Sequence, residues 1–391
     1  MSKIEQLIQQ YCPDGVEWKK LGEVGNNLDK KRKPITAGKR EAGDTPYYGA
    51  SGIVDYVKGY IFEGDFLLVS EDGANLITRT YPIAFSVHGK TWVNNHAHVI
   101  EFKERATRKY VEHYLNSIDL SPWISSGAQP KLIQENLNNI TIPLPPLPVQ
   151  EEIVKILDTF SELQAELQAE LQARQQQYQY YRDKLLSFEG RSDVEWKKLG
   201  EISSIKTGRR FVRTDIRESG VPCFHYGDIY TYYGLTATKT KGYLDAELAS
   251  KLRFAQPNDV VVVCAGENDW DLGVGVAWLG DEPAVVHDAC CILHHSQNPR
   301  YISHFLRTHN YHLQMRRYVK NGKISSLSSS GLAEALIPIP SLEEQERIAT
   351  TLDRFDTLVN DLSQGLPAEI EARRQQYEYY RDKLLSFKKK A

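Results

Sequence analysis

The chain has 391 residues, with 48 Lys and Arg against 51 Asp and Glu, a net charge of −3 and 41% apolar residues. That length suits two or three domains, and the composition is that of an ordinary globular protein rather than a disordered one. No stretch approaches the roughly 18 apolar residues of a membrane helix, and the N-terminus lacks a signal-peptide core. Cys12, Cys223, Cys264, Cys290 and Cys291 are odd in number without a Cys-x-x-Cys pair. The chain therefore reads as cytoplasmic, with buried thiols and no disulfide framework or zinc site. A charge this near neutral argues against coating nucleic acid by bulk attraction and leaves room for local basic surfaces.

In chain order, residues 14–24 (DGVEWKKLGEV) open a region whose candidate strands are Phe66–Ser70, Ile83–Val87 and His98–Phe102. A stop rich in proline (Pro143, Pro145, Pro146, Pro148) precedes a long helical pattern, apolar from Ile153 and Ile156 through Leu163, Leu167 and Leu171 to Leu185. Residues 192–202 (SDVEWKKLGEI) then begin the same order again. Its strands are Val260–Cys264, Gly275–Leu279 and Ala289–Leu293, its stop holds Pro338 and Pro340, and its helical pattern runs from Ile348 to Leu384. The stops (IPLPPLPVQEEIVKILDTF, 142–160; IPIPSLEEQERIATTLDRF, 337–355) and the helix ends (RQQQYQYYRDKLLSF, 174–188; RRQQYEYYRDKLLSF, 373–387) match closely. The regions between share almost nothing, and the second holds about 18 more residues between Pro222 and Asp259. One unit has been written twice.

Steps of three and four residues make a coiled-coil seam, and helices of 35–40 residues would span about 55 Å. One helix per repeat predicts a pseudo-twofold, antiparallel pair. The first helix carries a tandem tetrapeptide at Leu163, Leu167 and Leu171 (LQAE, LQAE, LQA), so one added copy lengthens it by about 6 Å, as a ruler would. Gly365-Leu-Pro367 interrupts the second pattern. Asp353 to Arg373 is 20 residues against 16 from Asp158 to Arg174, which predicts a second helix longer by one turn. The domain reading is 1–145, a connector helix over 146–190, a second domain over 191–340 and a terminal connector helix over 341–391.

Catalytic signatures are missing: the sequence holds no P-loop, GxSxG, HExxH or strand–GxGxxG–helix motif. Asn298-Pro-Arg-Tyr301 resembles a base-holding motif of adenine methyltransferases. However, RYISHFL there matches RKYVEHYL at Arg108–Leu115, where no Asn-Pro occurs, so Tyr110 and Tyr301 read as helix packing. His96, His98, His294 and His295 have no Cys or carboxylate at ligand spacing and read as surface or satisfied core residues.

Basic clusters recur about ten residues after each WKKLGE, at 29–40 (DKKRKPITAGKR) and 205–217 (IKTGRRFVRTDIR), where Lys and Arg suit phosphates. Polar and aromatic loops accompany them. The candidate DNA contacts of the first copy are Lys30, Lys31, Arg32, Lys33, Tyr48, Ser51, Asn75, Asn94, Asn95, His96, Gln129 and Lys131. In the second copy they are Lys206, Arg209, Arg210, Arg213, His225, Tyr226, Tyr230, Tyr232, Asn268, Lys320 and Lys323. Tyr, Asn, Gln and His are the better readers of base edges.

The paired Pro stops, the LDTF and LDRF helix starts, the matching YYRDKLLSF ends and the LQAE repeats resemble the specificity subunit of Type I restriction–modification systems across essentially the whole chain. The resemblance implies a mixed α/β (α+β) fold, with two target-recognition domains separated by two long antiparallel coiled-coil helices. Each domain would read half of an interrupted double-stranded DNA site, and the helices would set the gap. It also implies docking of two modification subunits, which bind S-adenosylmethionine and methylate adenine at N6. Two restriction subunits would use ATP and magnesium, and this chain itself would carry no cofactor, metal or catalytic residue. Other readings make different predictions. A self-contained methyltransferase would bind S-adenosylmethionine alone, a coiled-coil assembly protein would show no salt-dependent DNA binding, and a methylation-only subunit would lack a restriction partner.

Overall fold

Each Glu-Trp-Lys-Lys motif is a strand that closes on the Pro-rich stop of its own copy. Glu17–Lys20 pairs antiparallel with Thr141–Leu144, setting Trp18 opposite Pro143. Glu195–Lys198 pairs with Leu336–Ile339, setting Trp196 opposite Pro338. Two-stranded ladders tolerate proline because no further strand needs its missing N–H. A glutamine then pins the turn into each long helix: Gln150 donates to the Pro145 carbonyl at 2.6 Å and Gln345 to the Pro340 carbonyl at 2.9 Å.

The computed structural model describes residues 2–125, 129–266, 272–322 and 324–390. It divides into two units, Met1–Glu166 with Glu371–Ala391, and Leu167–Ile370. The first unit begins with helix Lys3–Tyr11, capped by Ser2 and Glu5 in a reciprocal box. Its sheet has six strands in the order Asn26–Asn27, Ala97–Glu101, Phe62–Ser70, Ala84–Val93, Ala42–Gly49 and Gly52–Val57. Helix Arg105–Ser117 buries Tyr110, Val111 and Leu115 in the core beneath that sheet.

The second unit has a five-stranded sheet ordered Ser203–Thr207, Cys290–His295, Val260–Val263, Gly275–Trp278 and Thr236–Ala237. Asp259–Ala265 contains the fully buried strand expected of an unbroken valine run. The additional residues after Pro222 help to build a further four-stranded sheet, ordered Gly242–Leu244, Val221–Phe224, Ala284–Val286 and Phe254–Ala255. Tyr110 and Tyr301 are both fully buried. Asn298 is a helix cap whose side chain accepts from the Arg300 and Tyr301 N–H groups, so its motif is structural.

The first connector is one helix of 41 residues, Leu147–Ser187, about 60 Å long. Its Ala, Leu, Gln and Glu content is that of strong helix formers, and Leu167 and Leu171 are both buried. Phe160 packs on Tyr377 and Tyr380 in the first unit, while Tyr178 and Tyr181 stack on Phe355 in the second. Later residues of the first helix thus meet earlier residues of the second, and the pairing is antiparallel.

The second connector corrects the expectation of a longer helix. It is two helices, Leu342–Asn360 and Leu366–Leu385, and the four additional residues are spent on the break. The Asp361 carboxylate accepts from the Ser363 N–H at 2.7 Å and the Gln364 N–H at 3.2 Å, which turns the chain out of the helix. Pro367 then falls in the first turn of the next helix, where its missing N–H costs nothing.

Segments distant in sequence close the first unit. The Val16 N–H donates to the Lys388 carbonyl and the Lys390 N–H to the Val16 carbonyl, each at 2.9 Å. Gly15 has φ +95°, and a Cβ there would collide with the Lys388 carbonyl. Phe387 packs against the core holding Val16 and Leu385. In the second unit, Phe188, Leu186 and Val194 share a core in the same way.

Candidate nucleic-acid interface

In the first unit, loops far apart in sequence are bound into one surface. Arg32 donates to the Glu71 carboxylate at 2.6 Å and to the Ala97 carbonyl at 2.8 Å. The Glu71 N–H donates to the His96 carbonyl, the Leu132 N–H to the Glu71 carbonyl, and the Lys131 ammonium lies 3.0 Å from the Glu71 carboxylate. Trp92 Nε1 donates to the Lys33 carbonyl at 2.6 Å, and the Ile35 N–H to the Tyr47 hydroxyl at 2.9 Å. The Ser70 hydroxyl reaches the Ala50 carbonyl, and the Asn94 N–H the Tyr48 carbonyl. The loops 29–40, 47–52, 71–75, 92–96 and 129–131 therefore converge; Ser126–Ala128 lie outside the described residues.

At the centre is a buried ion-pair node. Asp29 lies 2.5 Å from His98 Nδ1 and accepts from the Val99 N–H at 2.9 Å, and His98 Nε2 meets the Leu132 carbonyl at 2.7 Å. Burial opposes the Asp29 carboxylate, but His98, the Val99 N–H and Arg32 outweigh it and hold its pKa below the ordinary value. Burial likewise opposes Glu71, and Arg32, His98 and Lys131 outweigh it. His98 is the satisfied core residue expected, its partners Asp29 and Glu71 being brought to it by the fold rather than by ligand spacing in the sequence. These three residues could face a cation. They do not fit one here: both His98 nitrogens point at acceptors, and the Arg32 guanidinium already lies between the carboxylates.

The surface above this node carries Lys30, Lys31, Lys33, Ser51, Asn95, His96 and Gln129, all exposed. His96 Nδ1 lies 2.9 Å from Asp72. Tyr48 is half-buried beside Phe85, and Lys131 is half-exposed. Three candidates are also bonded within the fold. Arg32 is an internal ion-pair partner. Asn94 is buried and accepts from the His96 N–H at 2.8 Å, shaping the turn. Asn75 brackets Tyr81 with both ends of its amide.

In the second unit the basic loop is anchored by Phe211, which meets His287 edge-on at 5.0 Å and His225 at 6.2 Å. Gly208 lets the chain cross so close to Val286 and His287 that a Cβ would collide with both carbonyls. Lys206, Arg209, Arg210 and Arg213 are exposed around this anchor, and Arg209 donates to the Lys251 carbonyl at 2.8 Å. Tyr226 packs at a tilt against His225 and His287. His225 is buried and accepts from the Gly227 N–H, capping helix Tyr226–Thr231. Burial pushes the His225 and His287 pKa values down, so both rings stay neutral at neutral pH. Tyr232 is exposed, with the Lys241 ammonium over its ring.

The loop after Cys264 joins this cluster through Ala289, whose carbonyl accepts from the Cys264 and Ala265 N–H groups. Ala265–Gly266, Ser325–Leu327 and Val319–Lys320 form a small sheet that presents exposed Lys320. Asn268, Lys323 and the Tyr230 side chain lie outside the described residues. His287 and Lys241 were missed by sequence reasoning. Neither sits in a motif, and only the fold brings His287 to Phe211.

The fold is a duplicated mixed α/β domain with long paired helices, each copy gathering basic and polar loops on one surface. A family model described as the Type I restriction modification DNA specificity domain matches residues 13–174 and 191–372. A putative type I restriction enzyme specificity subunit of Haemophilus influenzae is 35% identical over 395 residues, 95% of this chain and 96% of that protein. The EcoR124I/EcoR124II specificity subunit of Escherichia coli is 35% identical over 301 residues, covering 72% of this chain and 71% of that protein. Among solved structures, the S subunit of a Type I system from M. genitalium covers 95% of this chain and 96% of its own at a TM-score of 0.58 and 13% identity. The chain belongs to the family of Type I restriction–modification specificity subunits and has two recognition domains.

Proposed function

We propose that each domain reads one half of an interrupted double-stranded DNA site through its gathered loops, and that the paired helices set the gap between the halves. The observation that carries this reading is the convergence of loops that the sequence scatters over a hundred residues. They form a surface edged by exposed Lys30, Lys31 and Lys33 in one domain, and by Arg209, Arg210 and Arg213 in the other. Exposed cations hold phosphates and fix register, while tyrosine, asparagine and histidine beside them reach base edges. The chain is non-catalytic and holds no cofactor. It works in the cytoplasm by positioning two modification subunits, which bind S-adenosylmethionine and methylate adenine at N6. Two restriction subunits, dependent on ATP and magnesium, complete the assembly.

The test is genome-wide mapping of N6-methyladenine in cells expressing the chain with its modification partner. A new two-part motif of fixed gap is the expected result. No new methylation, with both proteins present and associated, would overturn the reading in favour of an assembly role without DNA readout.

A further inference from the structure

Each unit contains the same polar constellation where its recognition domain meets the helices. In the first, His113 on helix Arg105–Ser117 places Nε2 2.9 Å from Asp158 and Nδ1 3.4 Å from the Tyr377 hydroxyl. In the second, His304 on helix Pro299–Phe305 places Nε2 2.9 Å from Asp353, which Arg300 also holds, and Nδ1 3.4 Å from the Tyr178 hydroxyl, which is shared with the Asp356 carboxylate at 3.2 Å. The surroundings repeat as well. Tyr377 packs on Phe160 at 6.4 Å with Arg381 over its ring, and Tyr178 stacks on Phe355 at 6.3 Å with Arg182 over its ring. Both histidines are buried, at 6% and 0% exposure.

Three features set this arrangement apart from ordinary packing. The histidine belongs to the recognition domain, where few residues recur between the copies, while its two partners come from different connector helices. The corresponding hydrogen-bond distances are the same in both units, 2.9 Å to the aspartate and 3.4 Å to the tyrosine. The arrangement also survives the four-residue difference between the connectors, which the break at Asp361–Gly365 absorbs between the partner positions rather than within them. Apolar contact holds surfaces together without fixing their angle, whereas hydrogen bonds are directional. A buried imidazole bonded to both helices therefore fixes how the domain's helix is rotated and set along them.

We propose that His113 and His304 are positioning residues that orient each recognition domain on the helix pair and so sharpen the gap between the two half-sites. This rests on the DNA-reading function above. One base pair of gap is a rise of only about 3.4 Å, so a small rocking of either domain would let neighbouring gaps bind.

The experiment maps N6-methyladenine with the full chain and its modification partner, comparing wild type with His113→Phe, His113→Gln, Tyr377→Phe and Tyr178→Phe. His113→Phe should keep both half-site sequences but lower discrimination against gaps one base pair longer or shorter by about tenfold. His113→Gln, which retains an N–H for Asp158, should restore most of it. The two Tyr→Phe variants lose only a hydroxyl and should relax the gap even if His113→Phe does not accumulate. Methylation that falls equally at all sites with the gap unchanged, or that does not change, would overturn the proposal. Failure of the wild type to give a two-part motif would instead overturn the function on which it rests.

Discussion

Two kinds of basic residue stand side by side in the loop 29–40, and they should fail differently. Arg32 is mostly buried between Asp29 and Glu71, with 13% of its side chain exposed. Replacing it by methionine removes the guanidinium shared by two carboxylates that keep only His98 and Lys131 as charged partners, a loss of about 1–3 kcal/mol. Hydrogen exchange should show it first at the Val99 amide, which is bonded to Asp29. Lys30→Glu with Lys31→Glu should leave melting unchanged but weaken DNA binding by the assembled complex. The salt dependence should become shallower by about 0.9 in log–log slope for each phosphate that is no longer neutralised. The node also sets an acid limit. Asp29 and Glu71 titrate below their ordinary values of 3.8 and 4.5. Their contribution is therefore complete above about pH 4.5, and it is lost as pH falls through the lowered values. Protection of the Val99 amide should fall over that acid range, and in Arg32→Met the fall should begin at higher pH.

At the scale of elements, the repeats were legible because duplication wrote every boundary twice. The three strands named in each copy, the Pro stops and the first long helix follow from periodicity and composition alone, whereas the further four-stranded sheet of the second unit does not. The expectation of a longer second helix failed because periodicity registers apolar steps and is blind to a side chain such as Asp361 that bonds its own backbone. The glycines at the two equivalent junctions separate steric from conformational cost. Gly15→Ala meets both a positive φ and a collision with the Lys388 carbonyl, so denaturation should show a loss above about 2 kcal/mol. Gly190 has φ +75° with nothing within 4 Å of the added Cβ, so Gly190→Ala should cost only about 1 kcal/mol. Inserting one further LQAE after Glu170 should lengthen the helix by about 6 Å and widen the methylated motif's gap by about two base pairs.

For the whole molecule, the family and the duplication could be read from the letters, while the assembly of the sites could not. The basic loops were found, yet nothing local distinguishes Arg32 from Lys31, because the carboxylates that claim Arg32 arrive from elsewhere in the chain. His113 and His304 already occupied matching places in RKYVEHYL and RYISHFL; what the sequence hid was that an aspartate and a tyrosine from two other helices would meet each of them.

The meeting of Lys388–Lys390 with Val16 means that backbone hydrogen bonds do at one junction what a continuous peptide does between Phe188 and Val194 at the other. A permuted chain, joined from Lys390 to Ser2 by a short glycine–serine linker and opened between Gly190 and Arg191, should melt as the parent does and direct methylation to the same motif. Recombination could then exchange, reorder or split the two reading halves at these seams, giving new DNA targets with no new fold to evolve.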